Sequence, residues 1–209
     1  MNLFDMDKTV SEIQPDIYLL RNFANFDPIK HALKIILKQA PPRHMHTPGG
    51  RRINAAMTAC GSVGWVSDHN GYRYSRLNPQ TQQAWPSMPE TFQQLAQQAA
   101  QLCDFEAFQP DSCLINVYQN EQGMGCHRDE NEQDMNQPVV SVSLGMTATF
   151  QIYGVSKSHK PLALDLFHGD VMVWGRGARL MYHAIKPIRS NPHSVLGYKR
   201  YNLTFRKAL

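Results

Sequence analysis

Apolar positions along the chain recur with two different periods. Behind Asp27-Pro28, Ile29, Ala32, Leu33, Ile36 and Leu37 repeat at helical spacing. Asp27 reads as an N-cap, with Pro28 at the first helical position. A second helical face, made of Phe92, Leu95, Ala96, Ala99 and Leu102, follows Ser87-Met-Pro-Glu90, a capping box of the S-x-x-E type. The rest of the apolar pattern is short and rich in β-branched or aromatic residues. It predicts strands at Cys113 to Tyr118, Val139 to Leu144, Ala148 to Tyr153, Leu162 to Leu166, Val171 to Trp174, Met181 to Ile185 and Tyr201 to Phe205, with Gly, Asn, Asp and Pro in the gaps. Many short strands at close spacing predict a sandwich or barrel rather than a βαβ fold. The fold class is therefore mainly β (α+β), with both helices packed against the back of a jelly roll whose mouth can hold a small site.

Pro41 to Gln83 differs in character. Gly and Pro punctuate it, and Arg43, Arg51, Arg52, Arg73 and Arg76 are interleaved with Trp65, Tyr72 and Tyr74. That mixture suits a surface that holds phosphates and stacks on bases, and it equally suits aromatics that merely pack a lobe. The formal net charge of +4 is compatible with an anionic partner without requiring one. At 209 residues, with 42% hydrophobic and 18% charged side chains, the chain has enough apolar content for one packed domain. The four cysteines contain no CxxC pair, and Met1 to Lys8 has no signal-peptide pattern. Free thiols in a cytoplasmic protein are the simplest reading. Runs such as Ile35 to Leu37 fall far short of the roughly 20 residues a membrane helix needs.

The sharpest local feature is His127-Arg128-Asp129. In extended chain, residues i and i+2 share a face, so His127 and Asp129 can grip one ion while Arg128 points away. His183, in Met181-Tyr-His-Ala-Ile185, supplies a third ligand from another strand. Two histidines and a carboxylate on one face form the facial triad of non-haem iron oxygenases, although zinc accepts the same ligands. His44 and His46 lack a matching carboxylate and read as solvated or structural, and His168 reads as a local hydrogen-bonding residue.

Arg200, Asn202, Thr204 and Arg206 fall on one face of the last predicted strand. Two arginines turned into a jelly roll would need buried anions, and a guanidinium matches a carboxylate in bidentate fashion. Asn116 and Tyr118, again i and i+2, can add hydrogen bonds from a neighbouring strand. Periodicity equally permits the opposite orientation, with Tyr201, Leu203 and Phe205 inside.

In these residues the chain resembles the bacterial AlkB family of iron(II)- and 2-oxoglutarate-dependent nucleic-acid dealkylases. The resemblance runs from about Thr47 to the C-terminus. It is carried by Asn116-x-Tyr118, His127-x-Asp129, Val-Ser-Val-Ser-Leu-Gly145, His168-Gly-Asp170-Val, Tyr182-His183 and Arg200-Tyr-Asn-Leu-Thr-Phe-Arg206. It implies a double-stranded β-helix (jelly-roll) core over 87–209 and, within 1–86, an N-terminal extension, a helix and a nucleotide-recognition lid, all in one compact unit. It implies Fe(II) on His127, Asp129 and His183, with 2-oxoglutarate and O2 as cosubstrates. Arg206 with Tyr118 would hold the far carboxylate of 2-oxoglutarate, while Arg200, Asn116, Asn202 and Thr204 line the same pocket. Thr47, Met57, Trp65, Tyr72 and Tyr74 would form the lid, with Trp65 stacked on the damaged base opposite His183 and Tyr72 on backbone phosphates.

The implied reaction is direct-reversal repair. N-alkylated bases such as 1-methyladenine and 3-methylcytosine in DNA, with RNA as a further substrate, are oxidatively demethylated. Formaldehyde is released as 2-oxoglutarate becomes succinate and carbon dioxide. Single strands are the expected substrate and a monomer the expected state. Two positions depart from the family pattern: Asn131 stands where an aspartate reads the exocyclic amino group, and Lys157 where an arginine contacts base or phosphate. The alternative is a related 2-oxoglutarate oxygenase acting on a protein or small molecule, which would keep the triad and Arg206 without needing Trp65 and Tyr72.

Overall fold

The structure, a computed structural model, describes residues 10–209. The reading of Met1 to Lys8 lies outside them. A hairpin of β1 (Val10–Gln14) and β2 (Ile17–Leu20) precedes α1 (Phe26–Gln39). Then come β3 (Arg43–His46), β4 (Arg52–Gly61), β5 (Gly64–Asp68), β6 (Gly71–Ser75) and α2 (Glu90–Gln101). The remainder is β7 (Ser112–Gln119), β8 (Met124–His127), β9 (Val139–Gly145), β10 (Ala148–Gly154), β11 (Leu162–Leu166), β12 (Val171–Trp174), β13 (Tyr182–Ile185) and β14 (Lys199–Arg206). Each strand expected from the apolar pattern is present. The strands before α2, and β8, were not expected.

Eight strands form the larger sheet, in the order β1-β2-β12-β9-β14-β7-β4-β3, and four form the smaller, β11-β10-β13-β8. All neighbours are antiparallel. The stretch read as an irregular lobe is largely β structure: β3 and β4 extend the larger sheet through the β4–β7 pairing, and only β5 and β6 stand apart as a hairpin. Residues before 87 thus supply four strands of the larger sheet.

In the central strands of that sheet, β12, β9, β14 and β7, both faces are buried. Ile115, Val140, Val142, Leu203 and Phe205 pack with Ile29, Leu33, Ile36, Phe92 and Ala96 of the helices. The opposite face places Leu114, Tyr118, Val139 and Trp174 against Phe150, Ile152 and Ile185 of the smaller sheet. In β14 the helices therefore take Tyr201, Leu203 and Phe205, and the polar set faces the interior between the sheets. The choice that periodicity left open is decided by what covers each face.

Two helix starts differ from expectation. The N-cap of α1 is Asn25, whose side chain accepts from the Asp27 N–H at 3.2 Å; Asp27 lies in the first turn, where its charge favours the positive end of the helix dipole. At α2 the Ser87 capping box does not form. The helix starts after Pro89 with no side-chain cap, and Glu90 bonds forward to Gln94. Its buried face is Phe92, Ala96, Ala99 and Ala100, with Leu102 left exposed. Asn25→Ala should therefore cost about 1 kcal/mol in urea denaturation. Ser87→Ala should stay within about 0.5 kcal/mol of the parent protein.

Candidate active site

Strand β8 delivers His127 directly opposite His183 on β13, and their ring centroids lie 4.4 Å apart. Asp129 follows two residues later, so the candidate ligand atoms of all three lie within 4.8 Å of one another. Each imidazole is oriented by a carbonyl two residues back: His127 Nδ1 lies 2.8 Å from Gly125 O, and His183 Nδ1 3.1 Å from Met181 O. A carbonyl only accepts, so each Nδ1 carries the proton and each Nε2 keeps its lone pair. Phe150 and Trp174 pack on the His183 ring. Burial, and then the nearby His127, push the His183 imidazole down to about 4, so it is neutral at physiological pH, as a metal ligand must be.

The carboxylate is prepared in a different way. Burial would raise the Asp129 carboxyl, but the Arg206 guanidinium, with help from the two histidines, holds it well below the usual carboxylate range. Arg206 donates Nε and Nη2 to Oδ2 at 3.2 and 2.9 Å. One oxygen is thus committed to Arg206, and Oδ1 is left for an ion. Behind this pair lie two residues that the sequence did not single out. Glu132 receives Arg179 at 2.9 Å and the Tyr74 hydroxyl, and Arg179 also donates to the Asp129 carbonyl at 2.8 Å. A charged residue three positions past Asp129 has no signature of burial in sequence.

Strand β14 runs between β7 and β9, with Arg200 opposite Tyr118 and Asn202 opposite Asn116. Arg200 is buried, lies 5.3 Å over the Tyr118 ring and donates Nη2 to Ser143 at 3.0 Å. Its Nε and Nη1, and Asn116 Oδ1, have no hydrogen-bond partner among the described residues. Asn202 is held by Ser141, Val142 and Thr204, and Asn116 reaches it at 3.4 Å. The expected pairing of Arg206 with Tyr118 is therefore corrected. Arg200 accompanies Tyr118, while Arg206 is spent on Asp129.

These groups open on a cavity of about 640 Å³. Thr47, Met57, Trp65, Tyr72, Asn131 and Lys157 line it together with the three candidate ligands and the Arg200–Arg206 face. Tyr74 does not; it sits opposite Trp65 in the β5–β6 hairpin and points its hydroxyl at Glu132. Trp65 stacks on Tyr72 with centroids 5.6 Å apart and donates its indole N–H to Asn131 Oδ1 at 3.0 Å. Arg128, expected to point away, is exposed yet borders the cavity; it pairs with Glu130 and lies over the Tyr182 ring, as does Lys157.

Residues 16–206 match the model of the 2OG-Fe(II) oxygenase superfamily. The chain is 44% identical over 193 residues to the alpha-ketoglutarate-dependent dioxygenase AlkB of Escherichia coli, covering 91% of this chain and 89% of that protein. The chain is a bacterial AlkB-family 2OG-Fe(II) dioxygenase. It is also 33% identical over 98 residues to the human nucleic acid dioxygenase ALKBH1, covering 47% of this chain and 25% of that one. The solved structure of OsALKBH1 superposes with a TM-score of 0.79 at 28% identity, covering 95% of this chain and all of that one. This oxygenase accordingly uses Fe(II), 2-oxoglutarate and O2. The site suits them: a His-Asp-His cluster with free Nε2 atoms beside a buried guanidinium with unused donors. No helix among the described residues is long and apolar enough to cross a membrane.

The two arginines should respond differently to truncation. Arg206→Met leaves the buried Asp129 charge uncompensated and should cost the metal-free protein about 3–5 kcal/mol. Arg200→Met removes a buried charge that has no carboxylate partner and should cost less than about 1 kcal/mol. Urea titrations of the two metal-free variants check the contrast.

Proposed function

We propose that this oxygenase removes N-linked alkyl groups from bases such as 1-methyladenine and 3-methylcytosine in single-stranded nucleic acid. The observation that carries the reading is one cavity holding the His-Asp-His cluster, the under-bonded Arg200 and the stacked Trp65–Tyr72 pair. The family names support it: the human relative is a nucleic acid dioxygenase. The four free cysteines suit a reducing cytoplasm.

Each residue then has a part. His127, Asp129 and His183 would hold iron. Arg200, with the Tyr118 phenol beside it, would take the distal carboxylate of 2-oxoglutarate, with Asn116, Asn202 and Thr204 completing a polar wall. When bound, iron, 2-oxoglutarate and O2 would supply the oxidising chemistry that hydroxylates the N-alkyl carbon, with succinate and carbon dioxide as by-products and formaldehyde as the fragment released from a methyl group. The chain's own contribution is placement. Trp65 offers a flat apolar face for a base that has left its stack, which favours single strands or a flipped nucleotide. Thr47 and Met57 close the pocket around it. Exposed Arg51, Arg52 and Lys157 at the rim suit phosphates.

Asn131 sets the selectivity in this reading. An aspartate there would only accept hydrogen bonds, whereas the amide accepts the Trp65 indole N–H and keeps two N–H donors. It therefore attracts a cationic methylated base less strongly than a carboxylate does.

The test is formaldehyde release from oligonucleotides carrying 1-methyladenine or 3-methylcytosine, with Fe(II), ascorbate and 2-oxoglutarate. Release from neither would end the proposal. Asn131→Asp should raise turnover on at least one of the two, and unchanged kinetics on both would remove its selectivity role. Trp65→Ala should weaken oligonucleotide binding by about tenfold or more, the stacking contribution of one base.

A further inference from the structure

Glu132 touches neither the cavity's aromatic hairpin alone nor the metal-ligand segment alone; it touches both. Its side chain is 2% exposed. One carboxylate oxygen, Oε2, receives Arg179 Nη2 at 2.9 Å. The other, Oε1, receives the Tyr74 hydroxyl from the hairpin and faces Arg206 Nε at 3.5 Å. Both guanidiniums continue to Asp129: Arg206 to its side-chain Oδ2 and Arg179 to its backbone carbonyl. Arg179 is anchored in turn to the Gln137 carbonyl at 2.9 Å.

Two buried carboxylates and two buried guanidiniums form a closed, charge-balanced cluster, and the Tyr74 phenol ties it to the hairpin. Its members are fixed in angle as well as distance, because guanidinium forks donate in fixed directions. Movement of the hairpin that carries Tyr74 must stretch or release the Glu132 contact. Glu132 cannot shift without re-aiming Arg206, and Arg206 determines which Asp129 oxygen is free. A half-satisfied buried charge cluster is costly, so the arrangement favours all bonds made together.

We infer that Glu132 is a positioning residue that couples the seating of the β5–β6 hairpin over the cavity to the orientation of the metal-ligand Asp129. The inference rests on the nucleic-acid reading for what seats the hairpin. Nucleic acid stacking on Trp65, and a divalent ion on Asp129 Oδ1, favour the same arrangement of the cluster. Each therefore tightens the other, and linkage requires the effect to be reciprocal.

The experiment measures Co(II) affinity by its d–d absorption, under nitrogen, with and without a saturating 1-methyladenine trinucleotide. In the parent protein the trinucleotide should tighten Co(II) by about tenfold, within the usual range of coupling between sites. Tyr74→Phe keeps the ring and loses the hydroxyl. It should bind Co(II) alone within about twofold of the parent and lose the linkage. Glu132→Gln should weaken Co(II) by about tenfold or more even without trinucleotide, as loss of an outer partner of a metal ligand does. Full linkage retained in Tyr74→Phe, or parent-like Co(II) affinity in Glu132→Gln, overturns the inference. Failure of the parent protein to bind the trinucleotide overturns the nucleic-acid reading instead. The Co(II) affinity of Glu132→Gln then still decides whether Glu132 positions Asp129.

Discussion

Between two packed sheets, a lone carboxylate would surrender its charge to a proton rather than wait for a metal. Asp129 keeps its charge because Arg206 meets one of its oxygens with two N–H groups, leaving the other oxygen available. Much of the site's construction follows from supplying that arginine and holding it still. It comes from the end of β14, a strand paired with β7 along its whole length and with β9 from Arg200 to Phe205. The histidines need less support. A backbone carbonyl sets the tautomer of each, and apolar rings fix the plane of His183.

The larger sheet makes this placement possible because both of its faces are covered. One face is apolar against α1 and α2, and the other is divided between apolar contacts with the smaller sheet and a polar stripe. On that stripe the two arginines of β14 take separate duties. Arg206 answers a carboxylate belonging to the chain. Arg200 is left with unused donors above Tyr118, an arrangement that suits an anion.

Among the described residues the β5–β6 hairpin is the one pair of strands outside the two sheets, and its ties to the rest are specific. Trp65 reaches Asn131 and Tyr74 reaches Glu132, two residues on the short segment that begins with the candidate metal ligand Asp129. The aromatic wall that would receive a base is therefore referenced to the same segment that would hold the metal. Distance between an alkyl carbon and a reacting centre matters on the scale of a single ångström, and a shared anchor segment is a direct way of fixing it.

How much of this could be read beforehand differs from residue to residue. The strands after α2, β8 excepted, were legible because their β-branched runs are short and cleanly punctuated. The pair His127 and Asp129 was legible because extended chain places i and i+2 on one face. The strands β3 and β4 were not, since Gly, Pro and Arg in that stretch mask β structure whose pairing partner, β7, lies more than fifty residues away in sequence. Helix faces were read correctly at their centres and less well at their ends. Asn25 and Ser87 are both ordinary cap residues, and only the path of the incoming chain chooses between forming and ignoring the bond. Sequence by itself determined the two periodicities, the residue types of the His-Asp-His cluster and the polar stripe of β14, because these depend on local geometry. Tertiary structure alone decided that the stripe faces inward, that Arg200 rather than Arg206 accompanies Tyr118, and that Glu132 and Arg179 are buried around Asp129. Those outcomes depend on which distant strands and helices cover each face, and a charge acquires its partner only when the chain brings one to it.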